Sequence, residues 1–488
     1  MLMTPDFPSW AGGFASQYRR LRCSSAPALH QLESLFGSWI ESFRLAQQEE
    51  GVFSRCRRWT FRLVFWSFLW QVAQAGASCR AAIRQVQSAC QLLGLPTPPD
   101  EQSPYCVARG KLPMERLDEI HRHLIAGAES AIASKELWYG LRVRVIDAST
   151  VLAPDTPENQ AAFPQYACQK PGCGFPIIRL SGLFSLATGL FLAWTKGDKH
   201  SDEFTMLQSL WEHLRPGDLL LGDRGYASWG VLAQCLQQGL HGVFRLRGRR
   251  RSDWRCGERL NKNERLVQWS KPGTKPEYLS DAFWAALPQE LTLRLVRVYV
   301  AQRAHRTRKL ILVTTLLDQQ QYSAQALAEL YRRRWDMELS LRHLKTTLQM
   351  EHLSCKTPNN LERELWMHFC MHNLVRRLMV EAARRAGVPL ARVSFAGALD
   401  AALSYAETLR RARTRRQRLA VLQELYRVLA ADLVPDRPGR REPRAVKKRP
   451  KSYPRLTFHR KSYCFERETI HRGHSGERRG TSKTRRAN

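Results

Sequence analysis

The stretch "YRRRWDMELSLRHLK", Tyr331 to Lys345, sets two acids, Asp336 and Glu338, inside a dense run of positive charge. At 100° per residue, Tyr331, Arg334, Glu338 and Lys345 fall at about 0°, 300°, 340° and 320° around a helix. They share one face about 60° wide. That face presents a ring, a guanidinium, a carboxylate and an ammonium. The basic and aromatic groups suit phosphates and sugars. A carboxylate beside a polyanion is costly unless a cation stands between them, and magnesium, which takes one or two carboxylates together with phosphate oxygens, is such a cation. Asp336 lies about 200° around the helix from Glu338 and is expected to pair with a neighbouring arginine.

One carboxylate holds such an ion poorly, and two more stand upstream. "LRVRVIDASTV" (141–151) alternates as a strand and carries Asp147, and "PGDLLLGDRGYAS" (216–228) is a turn and a short apolar strand ending at Asp223. Read as strand-end acids, Asp147 and Asp223 complete a three-acid set with Glu338 that is able to hold two metal ions. One ion would activate water or a 3′ hydroxyl, and the other would stabilise the leaving oxygen of in-line displacement at phosphorus. Taken singly, each acid also reads as a turn former or as a surface ion-pair partner, Glu338 for Arg334 or Arg342.

The elements around these acids predict an α/β protein. "IIRLSGLFSLATGLFLAWTKG" (177–197) reads as two strands turning at Thr188 and Gly189. A helix over 201–214, a second over 228–239 and a strand over 241–247 follow. Strand, hairpin, helix, strand, helix, strand is the order of a ribonuclease-H-like core, a mixed sheet flanked by helices. The span of about 115 residues from Asp223 to Glu338 exceeds ordinary loops. Runs such as "LTLRLVRVYVA" (291–301) and "RKLILVTTL" (308–316) make it a β-rich insertion. The expected division is a helical, DNA-binding region over 1–135 and the first part of the core over 136–247. The insertion occupies 248–320, and the final core helix with Glu338 occupies 321–358, running unbroken over 323–350. A helical C-terminal region spans 359–436, and a basic tail without a fold of its own spans 437–488.

Composition agrees with a nucleic-acid partner. The 488 residues hold 77 Lys and Arg against 44 Asp and Glu, a net charge of +33. A hydrophobic content of 43% supports real cores and excludes a wholly disordered basic chain. Such an excess of charge repels itself unless an acidic partner binds. Arg19, Arg20, Arg22, Arg55, Arg57 and Arg58 suit DNA contact and a solvated face equally. Twelve scattered cysteines without a secretory signal predict reduced thiols in the cytoplasm, with the protein associated with the nucleoid. The apolar run 59–77 contains Arg62 and Gln71 and reads as a buried helix, not a membrane span.

Other clusters carry less. Cys168 and Cys173 lack a second ligand pair at zinc spacing. His368 and His372 lack the glutamate of a zinc-protease helix and read as buried structural residues. His200 follows the third strand and is a candidate to approach the acids. Arg224 and Arg342 are expected DNA contacts, and Tyr226 either touches DNA or packs.

"VIDAST" (145–150), "LLLGDRGY" (219–226) and the Y-x2-R-x3-E-x6-K pattern from Tyr331 to Lys345 resemble the DDE transposases of bacterial insertion sequences. The similar branch is the insertion-sequence-four family, with its signature of Tyr, Arg, Glu and Lys. The resemblance runs from about Arg142 to Met350, and "SCRAAI" (78–83) and "SPYCVARGKLP" (103–113) also look like family members. It implies Asp147, Asp223 and Glu338 as catalytic metal ligands for Mg2+, or Mn2+ in its place, with Tyr331, Arg334 and Lys345 on DNA near the cleaved phosphate. It also implies cut-and-paste transposition between the terminal inverted repeats of the element and a target DNA, by a homodimer. Water frees a 3′ hydroxyl, which can form a hairpin on the opposite strand before strand transfer. In this branch the hairpin step uses an extruded base stacked on an insertion-domain tryptophan, and Trp254, Trp269 and Trp284 all stand in the insertion. A related nuclease would cut without joining. A DNA-binding regulator would carry the same charge with no need of three acids at one sheet rim.

Overall fold

The computed structural model describes residues 30–40, 59–246, 256–299 and 309–435. Among these residues the strands form one mixed sheet: β1 (Arg142–Leu152), β2 (Ile177–Ser185), β3 (Phe191–Gly197), β4 (Asp218–Gly222), β5 (His241–Arg245), β6 (Glu258–Asn261), β7 (Glu264–Ser270), β8 (Glu290–Tyr299) and β9 (Lys309–Thr314). The spatial order is β3-β2-β1-β4-β5-β9-β8-β7-β6. β1 is antiparallel to β2 and parallel to β4, β4 is parallel to β5, and β9 returns antiparallel against β5.

Period-two alternation sorts the strand side chains onto two faces. Val145, Leu219, Leu221 and Val243 join one apolar cluster, whereas Ile146, Leu220 and Phe244 join another. The first face shares its apolar cluster with the long α12 (Pro358–Ala386), on which α2 (Phe61–Ala73), α4 (Gln102–Gly110) and α5 (Met114–Glu129) pack, with α3 (Cys79–Leu92) against α2 and α4. The second face is covered by α8 (Trp229–Gln237) and the short α7 (Glu203–Gln208). This is the expected mixed sheet with helices on both faces. α2 is the apolar run, buried almost throughout, and no helix among the described residues is long and apolar enough to cross a membrane.

The residues read as an insertion add strands to the same sheet. β9 bonds to β5 on one side and β8 on the other, so backbone pairing runs without a break from β3 to β6. On β8 the fully buried Arg294 pairs with Glu264 of β7, its Nε 2.7 Å from Oε2. It also donates to the carbonyls of Asp318 (3.1 Å) and Tyr322 (2.7 Å), in the turn that opens α10 (Ala324–Arg333). These strands are thereby tied to the start of the signature helix. The hairpin turns at Gly189 (φ +70), where a Cβ would meet the Arg376 guanidinium at 1.9 Å, so only glycine fits.

Two helices differ from expectation. The helix over 201–214 is α7 followed by a separate 3₁₀ turn at Trp211–His213. The unbroken helix over 323–350 is instead α10, a turn residue at Arg334, α11 (Trp335–Arg342) and a π-helical segment His343–Thr347. Gln349, at φ 55, closes the segment in the left-handed region, and the Glu351 N–H reaches back to the Lys345 carbonyl (3.2 Å). Wheel geometry assumes one uniform pitch, and a π turn widens it. The Arg19, Arg20, Arg22, Arg55, Arg57 and Arg58 cluster, Trp254 and the tail 437–488 lie outside the described residues.

Candidate active site

Alternation along β1 decides where Asp147 points. Val145 faces the cluster containing Met337 and Leu344 of the signature segment, Ile146 faces away, and Asp147 again faces the helix. Asp147 is not at a strand end, because β1 continues to Leu152. It is level with the end of its neighbour: Val145 pairs with Leu221 in the parallel β1–β4 register, β4 stops at Gly222, and Asp223 follows. The correction has a physical reason, since β1 is extended by antiparallel pairing with β2 as far as Leu152–Ile177.

Arg334 lies between two acids. Its Nη2 is 2.5 Å from Glu338 Oε1, and its Nη1 is 3.9 Å from Asp147 Oδ2. Its Cζ also sits 5.7 Å from the centre of the Tyr331 ring. The Asp147 carboxylate accepts the Ala148 N–H at 2.9 Å. Burial pushes its pKa up to about 6; Arg334 and the Ala148 N–H oppose the rise, and Glu338 and Asp223 add to it. Burial likewise raises the Tyr331 phenol, with Arg334 and Arg245 opposing and Asp223 reinforcing. Asp223 itself accepts the Gly225 N–H at 2.6 Å. Asp147 therefore feels the charge of both Glu338 and Asp223, with the Arg334 guanidinium against it.

Asp147 and Glu338 open into a cleft of about 500 Å³ that Ser149, Arg342, Lys345 and Glu351 also line. Asp223 and Arg224 are not part of that lining, and Arg224 is exposed. Among the described residues, no three Asp, Glu, His or Cys side chains stand close enough to hold a metal ion as they are arranged. Carboxylate oxygens are nonetheless the donors that magnesium and manganese prefer. The place between Asp147 and Glu338 is one that a cation already stabilises, here the Arg334 guanidinium. Asp147 and Glu338 thus supply the donor type a divalent ion takes, at a place the guanidinium now holds.

Glu351 was not singled out in the sequence. It reaches the cleft because the Leu152 N–H donates to its carbonyl (2.9 Å) and the Leu353 N–H to that of Leu152 (2.9 Å), a bridge across nearly 200 residues of chain with no local signal. Buried Glu364 fixes the adjoining loop by accepting the N–H groups of Ser354 (2.9 Å) and Cys355 (2.8 Å). Trp335, directly after Arg334, is 55% exposed.

Other candidates fall elsewhere. Asp336 lies 4.0 Å from Arg333 Nε, the expected kind of partner. Tyr226 is buried and packs. Trp229 donates its ring N–H to the Trp269 carbonyl (2.9 Å), and Trp284 packs edge-on against Trp229 at 5.4 Å with Lys271 Nζ over its ring. His368 and His372 are buried in α12, His372 stacked on Phe395. His200 is exposed and lines no part of the cleft, and Cys168 and Cys173 are free thiols.

A sheet that brings Asp147 of β1 and Glu338 of a basic helix to one cleft suits chemistry on phosphodiesters. Residues 138–374 match the family described as transposase DDE domain. Over 324 residues the chain is 31% identical to the transposase InsG for insertion sequence element IS4 of Escherichia coli (strain K12), covering 65% of this chain and 70% of that one. A solved structure of the piggyBac transposase synaptic complex with hairpin DNA aligns at 10% identity and a TM-score of 0.39, over 84% of this chain and 85% of that one. The chain belongs to the insertion-sequence-four family of DDE transposases. Its activity is DNA transposition by phosphodiester cleavage and transesterification, in a family that works with divalent metal ions.

Proposed function

We propose that Asp147, Asp223 and Glu338 are the catalytic acids on a ribonuclease-H-like core and that they hold Mg2+, with Mn2+ able to replace it. The single observation that supports this most is the Arg334 guanidinium shared by Asp147 and Glu338, two acids from distant parts of the chain that flank one cation in a basic cleft. A bound divalent ion neutralises phosphate charge and activates the attacking oxygen. The rest falls to the protein. Lys345 and Arg342 neutralise phosphate oxygens from the cleft wall, and Arg334, released from the acids, turns to the DNA beside Tyr331. Arg224 meets the backbone next to Asp223.

At each terminal inverted repeat, water attacks phosphorus and the bond to the 3′ oxygen breaks. The phosphate keeps the water oxygen, and the proton passes to the leaving 3′ oxygen. The freed 3′ hydroxyl then attacks the opposite strand, a 3′ oxygen of the flanking DNA leaves with the proton, and water reopens the resulting hairpin to give the 3′ hydroxyl back. In strand transfer that 3′ hydroxyl attacks a phosphorus of the target DNA, and a target 3′ oxygen leaves. This is cut-and-paste transposition by a homodimer that holds both ends, paired through helices within 359–436.

The test is a supercoiled plasmid bearing the DNA that flanks the gene, incubated with the protein in magnesium, in calcium, and with Glu338→Gln. Nicks at fixed positions that need magnesium and vanish in the variant are expected. Binding without cleavage in any metal would leave a DNA-binding protein, and cleavage without joining would leave a nuclease.

A further inference from the structure

The densest run of arginine among the described residues lies away from the cleft, where α13 (Phe395–Arg411) meets α14 (Arg415–Ala431). Arg410, Arg411, Arg413, Arg415, Arg416 and Arg418 fall within nine positions. Among the described residues only Glu407 answers them with a carboxylate, accepting from Arg410 and Arg411, each at 2.8 Å. Arg418 is structural, since it donates to the carbonyls of Ser34 (2.9 Å) and Leu409 (3.3 Å). Arg413, Arg415 and Arg416 are exposed, and their side chains make no ion pair or hydrogen bond with any described residue.

These three charges do nothing for the fold. Arg415 and Arg416 stand in the first turn of α14, where the helix dipole disfavours cations. Their backbone is nevertheless held firmly. The Gln417 N–H donates to Thr414 Oγ1 (3.1 Å), and the Gln417 side chain accepts the N–H groups of Arg413 (3.0 Å) and Thr414 (3.2 Å). A rigid corner that presents mutually repelling guanidiniums is relieved by a polyanion. A second copy of this chain would bring the same charge against it, and protein interface cores are depleted of charge.

Position supports the same partner. The Phe395 ring, at the start of α13, stacks on His343 with centroids 4.6 Å apart, and His343 directly follows the cleft residue Arg342. From Phe395 to Arg411 the helix rises about 24 Å. That length matches about seven base pairs of duplex.

We propose that the α13–α14 corner is a second DNA-contacting surface, with Arg413, Arg415 and Arg416 gripping the phosphate backbone of duplex beyond the cleft. This rests on DNA as the partner but not on the metal site. The contact is to backbone and needs no particular sequence.

The test uses the full-length protein and a short duplex of arbitrary sequence, with affinity measured by fluorescence anisotropy across a salt series. Replacing Arg413, Arg415 and Arg416 together by Gln should lower the slope of log affinity against log salt by about two to three units, nearly one per lost phosphate contact. Replacing all three by Lys should restore most of the slope, which a structural role would not do. The single Gln variants serve if the triple variant melts early by circular dichroism. An unchanged slope overturns the proposal, as does a change in sedimentation mass on substitution, which would make the corner an interface between copies. If the parent and Glu338→Gln both bind duplex and the corner variant keeps the parent slope, the corner alone is wrong. If the parent chain binds no duplex, the DNA reading itself falls.

Discussion

Arg334 Nη2 lies 2.5 Å from Glu338 Oε1 while Nη1 of the same guanidinium lies 3.9 Å from Asp147 Oδ2. One side chain thus neutralises two acids that are 191 residues apart in sequence. Burial works against the Arg334 charge, but Tyr331, Glu338 and Asp147 outweigh it and hold its pKa above the ordinary value. A divalent ion bound by the same acids has to compete with that guanidinium. Arg334→Ala should therefore bind Mn2+ more tightly in the absence of DNA, by several-fold or more, since a unit charge at about 4 Å is worth roughly 1 to 4 kcal/mol in a partly solvated site. Titration calorimetry measures this, and weaker or unchanged binding would refute it. Plasmid nicking should fall in the same variant because its phosphate contact is gone.

Gly225 tests whether Asp223 must sit where it does. A Cβ there would come 2.8 Å from Asp223 Oδ1 and 2.6 Å from Glu203 Oε2. Both are ends of flexible side chains, so Gly225→Ala should leave thermal stability within about 1 kcal/mol of the parent. Displacing the carboxylate by even an ångström should cut nicking by about tenfold to a hundredfold. An active Gly225→Ala enzyme would argue against a catalytic role for Asp223.

The buried pair that ties β8 to the signature helix should be costly to break. Arg294 is fully buried, and among the described residues Glu264 is its one carboxylate partner. Glu264→Ala strands that guanidinium and should destabilise the fold by about 3 to 5 kcal/mol, whereas replacing both residues with apolar ones of similar volume should cost far less. Denaturant unfolding of the single and double variants distinguishes the two outcomes. Equal losses would mean that the pair is not the source of the effect.

Acid should unfold the helical face of the sheet before it protonates most carboxylates. Burial pushes His121 down to about 3 and His368 down to about 4, from an ordinary value of 6.5. The unfolded chain therefore binds more protons than the folded one between about 6.5 and 4. Stability is complete above about 6.5 and is lost as pH falls through that window. His121→Gln should flatten this dependence in melts recorded from pH 7 to pH 4. An unchanged pH slope would mean that His121 is not part of the effect.

Sequence by itself determined the local features. Strand alternation put apolar residues on both sheet faces, and helical period set Glu338 one turn on from Arg334, because φ/ψ repeats act over only a few residues. Turn chemistry marked Gly189 for the same reason. Tertiary structure decided what joins across the chain. The antiparallel partner β2 carries β1 past Asp147, β9 fuses the later strands into the same sheet, and a backbone bridge to Leu152 brings Glu351 to the cleft. Arg334 likewise finds Asp147 only once sheet and helix pack. Such pairings depend on which distant surfaces exclude water together, and no local period of the sequence records that choice.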